Sequence, residues 1–300
     1  MKKYLSIVLS LSVVFTLAFF VKSIKEKPLE VTAKKSNIGT FNREKSCVQQ
    51  PNFLRKLRIS SPVAIDLSQQ NYKGLAFLHG KGLKEAVHLK SWEKFDHFSA
   101  YALTPKGDMF LTPMPYISVK KKTFEFQKNI YKLDSNSGKL SIWMTLEDVT
   151  ASSNNPYGVI AVEYDCSDNS LWVSAIDETD YRNSRGVVYN IDISTRKILQ
   201  KVEGIDALTL KLVKSEKGRF LLAGMAKENA LNAYAILDNK LQKKPIKLLE
   251  LDDSNEHIRK ISIIGKSSLK VKSIPFSYSL IAQTQESSIR REYIFNLEKL

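Results

Sequence analysis

Residues 155–202 read NPYGVIAVEYDCSDNSLWVSAIDETDYRNSRGVVYNIDISTRKILQKV, and this stretch decides the fold. It contains four short runs rich in apolar and β-forming residues. The first two are Val159–Tyr164 and Leu171–Ile176, and the last two flank the polar turn of GVVYNIDISTRKILQKV. Asp, Asn, Ser and Gly bound these runs, which is typical of strands rather than helices. Four strands in about fifty residues are typical of one blade of a β-propeller.

The second half of this unit recurs on both sides of it. Three segments begin with an apolar residue or Ala followed by Tyr and reach Asp before the turn: IYKLDSNSGKLSIW (130–143), VYNIDISTRKILQK (188–201) and AYAILDNKLQKKPIK (233–247). Their starts lie about fifty residues apart, which fits propeller blades and not an immunoglobulin sandwich. The sequence therefore predicts an all-β fold, a β-propeller of five or six four-stranded blades over residues 47–300. The alternative is a β-sandwich or two smaller β domains.

Residues 1–23, MKKYLSIVLSLSVVFTLAFFVKS, have the pattern of an export signal. Lys2 and Lys3 precede the apolar run Leu5–Val21. A run of this length is at the short end of what spans a bilayer, so a cleaved signal and an uncleaved membrane anchor both stay open. Residues 24–46 are polar and lysine-rich, which indicates a linker outside any core. We expect the body of the protein to be extracytoplasmic: periplasmic, secreted, or tethered to the inner or cytoplasmic membrane.

Two cysteines, Cys47 and Cys166, are present in the whole sequence. In an oxidising compartment they can form one disulfide, which would attach the start of the domain to a central blade. Such a bond would close a long loop and would be structural rather than catalytic. The alternative is a pair of free thiols.

Charge and motifs narrow the function. The chain holds 46 Lys and Arg against 31 Asp and Glu, a net charge of +15. A basic surface attracts anions, but the basic residues are scattered, as on an ordinary lysine-rich surface. No RNA- or DNA-binding motif is present, and we expect no nucleic-acid partner. Phosphate-binding glycine motifs, a G-x-S-x-G elbow and metal-binding histidine spacings are also absent from the sequence.

The segment Asn155–Val162, followed by Ser170–Val173, resembles the blades of the SMP-30/gluconolactonase and NHL-like propellers. The lactonase branch of that family binds a divalent cation, such as calcium or zinc, through Glu, Asn and Asp at the channel mouth. The resemblance puts Tyr157 where one of those ligands, an Asn, would be, so that ligand is missing. Asp206 matches a ligand position, and Asn155 or Asn154 could replace the missing amide. One retained acid does not make a metal site, because these cations need several donors.

We therefore expect an exported, non-enzymatic propeller that acts as a binding platform at the cell envelope and needs no cofactor. Propeller loops gather at the ends of the channel, and the best candidate contacts are Tyr157, Arg182, Arg185 and Asp206. The partner would be a protein, a glycan or a small molecule, and the N-terminal segment could associate with a membrane. One alternative is a metal-dependent hydrolase of lactones or sugar esters, with Asn155 and Asp206 as ligands. A purely structural role in an envelope assembly is another.

The character of the channel mouth distinguishes these hypotheses. An acid-rich mouth favours the hydrolase, and an apolar or aromatic mouth favours binding.

Overall fold

The computed structural model describes residues 29–30, 38–42, 47–59, 63–68, 70–115, 124–152, 155–177, 179–180, 182–276 and 291–296. The predicted export segment, residues 1–23, lies outside this part of the chain. Among the residues described, no helix is both long and apolar enough to cross a membrane. The helices are short: α1 (Asn52–Lys56) and three 3-10 helices at Lys81–Leu83, Lys90–Phe95 and Glu125–Lys128.

The strands form five sheets, which are the blades of a five-bladed β-propeller. Blade 1 has three strands, β2 (Ala64–Asp66), β3 (Ala76–His79) and β4 (Glu85–Val87). Blade 2 contains β5 (Phe98–Leu103), β6 (Met109–Pro113), β7 (Asn129–Leu133) and β8 (Leu140–Thr145). Blade 3 contains β9 (Val159–Asp165), β10 (Ser170–Ala175), β11 (Val187–Asp192) and β12 (Ile198–Glu203).

Blade 4 contains β13 (Ala207–Ser215), β14 (Gly218–Met225), β15 (Ala230–Leu237) and β16 (Lys240–Glu250). Blade 5 contains β17 (Glu256–Ile263), β18 (Ser268–Pro275), β19 (Arg291–Asn296) and, parallel to β19, the N-terminal strand β1 (Leu29–Glu30). The predicted propeller is thus confirmed with five blades rather than six, and the last blade takes strands from both ends of the chain.

Blade 3 shows why the opening stretch folds as a sheet. Its strands pair in the antiparallel order β12-β11-β10-β9, so consecutive strands are neighbours. Side chains alternate between the two faces: Leu171, Val173 and Ala175 pack toward blade 2, whereas Trp172 packs toward blade 4. Both faces of β9, β10 and β11 are buried, which explains why these three strands are nearly continuous apolar runs, whereas the outer strand β12 is mostly exposed.

Four apolar clusters fill the spaces between successive blades, from blade 1 against blade 2 to blade 4 against blade 5. The fold is therefore held together by face-to-face packing of sheets rather than by one central core.

The repeated Asp of the outer hairpins has a structural reason. The Asp134 carboxylate accepts hydrogen bonds from the backbone N–H groups of Asn136 and Ser137, and Asp192 does the same for Thr195. These are Asx turns, in which the side chain replaces a backbone acceptor. The hydrogen bonds, first of all the one from the Ser137 hydroxyl, lower the pKa of Asp134. The two turns are equivalent, which confirms the repeat seen in the sequence.

Part of the predicted linker belongs to the fold. Ile38 and Phe41 are 0% and 2% exposed and lie in the cluster between blades 4 and 5. Phe41 also forms a β-bridge with Ser215. The expectation that residues 24–46 lie outside any core therefore needs a correction at these two positions. The two apolar residues are separated by polar ones, so the segment has no period that would reveal their burial.

The two cysteines are joined. A disulfide links Cys47 to Cys166, with the two Cα atoms 6.2 Å apart and the two cysteines 119 positions apart in sequence. This attaches the chain just before α1 to the turn between β9 and β10.

Burial of Phe41 gives a direct test of the corrected boundary. We expect Phe41→Ala to lower the free energy of unfolding by about 3–5 kcal/mol, because the removed ring leaves a cavity between blades 4 and 5. Chemical denaturation followed by circular dichroism measures this. The matched control is Leu237→Ala, a truncation at a side chain that is 58% exposed, which we expect to cost less than about 0.5 kcal/mol. Equal losses for the two variants would contradict the core assignment.

Candidate functional site

The inner strands of the blades define a channel with two different ends. Strands β5, β9, β13 and β17 lie side by side, with β9 between β5 and β13 and with β17 next to β13. Residues that precede these strands lie at one end, which we call the amino end. Residues near their last positions and in the turns that follow lie at the opposite end, the carboxyl end.

The sequence-predicted contact residues all lie at the amino end, but their environments differ. Tyr157 and Asp206 are each 1% exposed. Arg182 and Arg185 are exposed on a loop whose backbone is held by hydrogen bonds to Asp180 and Thr179. The structure does not bring these four side chains to one accessible surface, and their role in ligand binding stays a prediction.

Asn155 has a structural role here. Its amide nitrogen donates to the carbonyl oxygens of Ile176 and Thr179, 2.9 Å from each, and its Oδ1 accepts from the backbone N–H of Tyr157 at 3.1 Å. The side chain thus ties the loop before β9 to the loop after β10. Its hydrogen-bonding capacity is used by the backbone, as expected for a buried amide.

The amino end is filled by an apolar and aromatic cluster: Tyr157, Ile160, Ile176, Leu208 and Ala226, with Met114 and Phe276 against it. The ring of Phe276 lies 5.1 Å from that of Tyr157 and 5.7 Å from that of His257, measured between centroids. The amino end therefore matches the apolar, aromatic channel mouth that favours binding, rather than the acid-rich mouth that favours a hydrolase.

The residues do not fit the divalent cation that the family resemblance implies. Asn154 lies outside the described residues, Asn155 is committed to backbone groups, and Asp206 is buried. In the described part of the chain, no group of three or more His, Cys, Asp or Glu side chains could hold a metal ion. We therefore derive no chemistry through a metal, and the hydrolase alternative is not favoured.

His257 lies at the edge of the aromatic cluster as a neutral side chain. Its Nδ1–H donates to the carbonyl oxygens of Met225 and Glu228, at 3.3 and 3.2 Å. Burial lowers the pKa of His257, while these two hydrogen bonds and Asp253 act in the opposite direction. The folded state therefore binds a proton less readily at this site than the unfolded chain does.

The lowered pKa predicts a pH dependence of stability. The contribution of neutral His257 is complete above pH 6.5, the unfolded value, and declines as the pH falls from there toward the lower folded pKa, because the unfolded state then binds more protons. We expect the melting temperature to fall between pH 7.5 and 5.5, with a smaller fall in His257→Gln. Leu237→Ala, which removes no titratable group and lies at an exposed position, is the control and should keep the wild-type slope. An unchanged slope in His257→Gln would rule out this assignment.

Arg259, on β17, connects inner strands across the channel. Its guanidinium donates to the Leu208 carbonyl oxygen at β13 and to the Ser99 hydroxyl on β5. Ser99 in turn donates to the Ile160 carbonyl oxygen on β9, 2.7 Å away. Burial lowers the pKa of Arg259 to about 10, so it is still charged at neutral pH. Within the described chain, no carboxylate lies within ion-pair distance of it.

Removing these donors should loosen the ring. Arg259→Met keeps most of the side-chain volume but leaves the Leu208 carbonyl oxygen and Ser99 hydroxyl without the guanidinium. We expect a loss of about 1–3 kcal/mol in unfolding free energy, the cost of leaving buried polar groups without a partner. Lys260→Met, at the adjacent exposed position, is the control and should change stability by less than about 0.5 kcal/mol. A stability equal to wild type in Arg259→Met would show that the guanidinium does not hold the strands together.

The carboxyl end contains a cavity of about 430 Å³. Its walls come from the ends of β9, β13 and β17, from Arg219 on β14, and from four residues of the N-terminal segment. The apolar part includes Phe41, Val48, Leu212, Val213, Ile263 and Ile264; the charged part is Glu163, Asp165, Lys211, Lys214 and Arg219; the disulfide Cys47–Cys166 is also part of the wall.

One ion pair in the cavity joins two inner strands. The ammonium of Lys211 on β13 contacts the carboxylate of Glu163 on β9. Burial raises the pKa of Glu163, while Lys211 acts to lower it. The side chain of Lys211 is 35% exposed and that of Glu163 is 17% exposed, so the lysine is the more accessible member of the pair.

A second ion pair lies deeper. Asp165 is fully buried and accepts from Arg219, from the indole N–H of Trp172 at 3.1 Å and from the backbone N–H of Ser167 at 2.9 Å. These three donors satisfy the carboxylate, which is the arrangement that makes a buried charge tolerable.

Sequence reasoning missed this cavity, although a signal was available. Glu163 is the fifth residue of β9 and Lys211 is the fifth residue of β13. A charge at the same position of two largely apolar inner strands indicates side chains that face a shared polar space. Neither residue matches a catalytic motif, so motif-based reasoning did not select them.

Comparison with known proteins gives a fold-level likeness. No family model matches the sequence, and no curated protein matches it either. A structure titled luciferin-regenerating enzyme is 12% identical, covers 77% of this chain and 74% of its own, and has a TM-score of 0.45. Two glucose dehydrogenase structures are 13% and 11% identical, cover 75% of this chain and 76% and 78% of their own, with TM-scores of 0.42 and 0.43. The SMP-30/gluconolactonase resemblance thus stays a prediction at the level of the family.

Proposed function

We propose that this protein is an exported, non-enzymatic propeller that acts as a ligand-binding platform at the cell envelope, and that its ligand occupies the cavity at the carboxyl end. The observation that carries this proposal is the cavity itself, about 430 Å³ with both apolar and charged walls. Pockets of this size with a few polar groups among apolar ones are typical ligand sites.

The walls indicate the chemical class of the ligand. Three basic side chains, those of Lys211, Lys214 and Arg219, face two acidic ones, Glu163 and Asp165, so the lining carries a net positive charge. The +15 charge of the whole chain adds an attractive field for anions. Apolar side chains form much of the remaining wall. The best fit is a small molecule with an anionic group and an apolar body.

Export is supported by the N-terminal sequence and by the cysteine pair. The n-region and apolar run have the pattern of an export signal, and a disulfide is stable in the oxidising compartments that exported proteins reach. The apolar filling of the amino end supports a binding role over metal-dependent hydrolysis, since it offers no acid-rich mouth.

Binding of a probe anion tests the proposal. We expect 1-anilinonaphthalene-8-sulfonate, an aromatic sulfonate, to bind the folded protein saturably, as measured by fluorescence titration. Lys211→Met should weaken its binding about tenfold, or ~1.4 kcal/mol, because one of the basic groups of the cavity wall is lost. Lys217→Met, at an exposed lysine outside the cavity wall, is the matched control and should bind like wild type.

The double variant Glu163→Gln/Lys211→Met removes both charges of the ion pair. It replaces Lys211→Met if that single variant does not fold, since the single variant leaves the Glu163 carboxylate without its ammonium. Circular dichroism must show native structure in each variant. Absence of saturable binding, or equal affinity in wild type and the Lys211 variants, would overturn the assignment of the cavity.

A further inference from the structure

An N-terminal segment crosses the carboxyl end of the propeller. We call residues 38–42 and 47–50 the N-terminal strap. Its contacts run along the turns that follow the inner strands. Thr40 donates to Glu216 in the turn of blade 4, and the Phe41 N–H donates to the Lys266 carbonyl oxygen in the turn of blade 5.

The second half of the strap, residues 47–50, contacts the corresponding turns of blades 3 and 2. Cys47 is bonded to Cys166 in the turn of blade 3, and the Gln49 N–H donates to the Thr104 carbonyl oxygen in the turn of blade 2, 3.0 Å away. The strap therefore spans four successive blades at the end of the channel where the cavity lies.

Four strap residues, Phe41, Asn42, Cys47 and Val48, form part of the cavity wall. The remaining wall belongs to strands and turns of the blades, which are held by the sheet hydrogen bonds and by packing between blades. The strap is therefore the part of the wall that can move without breaking a blade.

The two halves of the strap are attached differently. The first half is held by burial of Ile38 and Phe41 and by backbone hydrogen bonds to Lys214 and Lys266. Residues 47–50 are half-buried or exposed, with Cys47 and Val48 packed against the cluster between blades 2 and 3. Besides that packing and the Gln49 hydrogen bond, this half is attached to a blade covalently, through the disulfide.

The disulfide is also placed for thiol–disulfide exchange. Cys166 is exposed and Cys47 is half-buried, so a thiolate from solution can reach the Cys166 sulfur. Lys211, Lys214 and Arg219 line the same cavity, and positive charge stabilises a leaving thiolate. Access and a stabilised leaving group are what distinguish an exchangeable disulfide from an inert one.

We propose that Cys47–Cys166 is a redox-modifiable site, and that its reduction by a dithiol frees the second half of the strap and opens the cavity. A dithiol thiolate bonds to the Cys166 Sγ, the Cys47–Cys166 bond breaks, and the electron pair leaves on the Cys47 Sγ, which takes a proton. The second thiol of the reductant then attacks the mixed disulfide and releases Cys166 as a thiol. The dithiol is oxidised to a disulfide, and the protein gains two thiols.

Only the consequence for the ligand depends on the function proposed above; the opening of the strap does not. Two measurements on the folded domain separate the two ideas. Hydrogen exchange followed by mass spectrometry reports the strap directly, and the association rate of 1-anilinonaphthalene-8-sulfonate reports access to the cavity. Dithiothreitol is the reductant, thiol counting verifies complete reduction, and Cys47→Ser/Cys166→Ser mimics the reduced state.

We expect exchange in residues 47–50 to accelerate at least about tenfold on reduction, while β10 and β14 keep their protection. The association rate of the probe should rise by a similar factor, with the double serine variant matching the reduced protein. Unchanged strap protection after complete reduction would overturn the proposal. So would a probe that binds both forms at the same rate although the strap has opened, or a loss of protection that spreads to β10 and β14, since the bond would then be purely structural.

The remaining outcomes distinguish the two proposals. If the strap opens on reduction but the probe binds neither form, the binding function fails and the redox site stands. If reduction leaves the hydrogen-exchange protection of the strap unchanged and the probe binds both forms equally well, the redox site fails and the binding function stands.

Discussion

The hydrogen bonds of Arg259 connect the inner strands of three blades at the amino end of the channel. A closed ring of sheets leaves a channel, and here the guanidinium joins β17 to β13 and β5, with Ser99 extending the connection to β9. The apolar cluster around Tyr157 and Phe276 lies at the same end of the channel as this guanidinium. Because the amino end is filled in this way, the open volume lies at the carboxyl end, where charged side chains replace apolar ones along the same strands.

The cavity wall contains two carboxylates, and each is paired with a basic side chain. Buried Asp165 accepts hydrogen bonds from three donors. Glu163 instead contacts the ammonium of Lys211, whose side chain is about one-third exposed. A fully satisfied pair contributes to holding blades 3 and 4 together. The Lys211 side chain keeps part of its contact with water, but displacing it would leave the Glu163 carboxylate, whose pKa burial raises, without its ammonium. The two pairs therefore differ in exposure, although their carboxylates are only two residues apart on β9.

The sequence determined the blades far better than the site. Strand alternation and the Asx turns at Asp134 and Asp192 are local properties, so both can be recognised from the sequence. The count of five depends on how the chain ends meet, and β1 joins β19 through contacts that no local pattern encodes. The predicted contacts Tyr157 and Asp206 precede inner strands, as expected for a channel mouth. Whether that mouth is open depends on packing among five blades, which a linear pattern does not contain.

The N-terminal strap shows why composition misleads at this point. Residues 24–46 are lysine-rich, yet Phe41 is only 2% exposed. A segment that crosses turns needs only an occasional apolar anchor, because its backbone groups pair with turn carbonyl oxygens. Such a segment is held by a few separate contacts rather than by one continuous apolar face. One of those contacts is a covalent bond that chemistry can open, and the wall between the contacts includes the cavity residues Asn42 and Val48. In the proposal above, that bond controls access to the cavity while the hydrogen bonds within each blade stay intact.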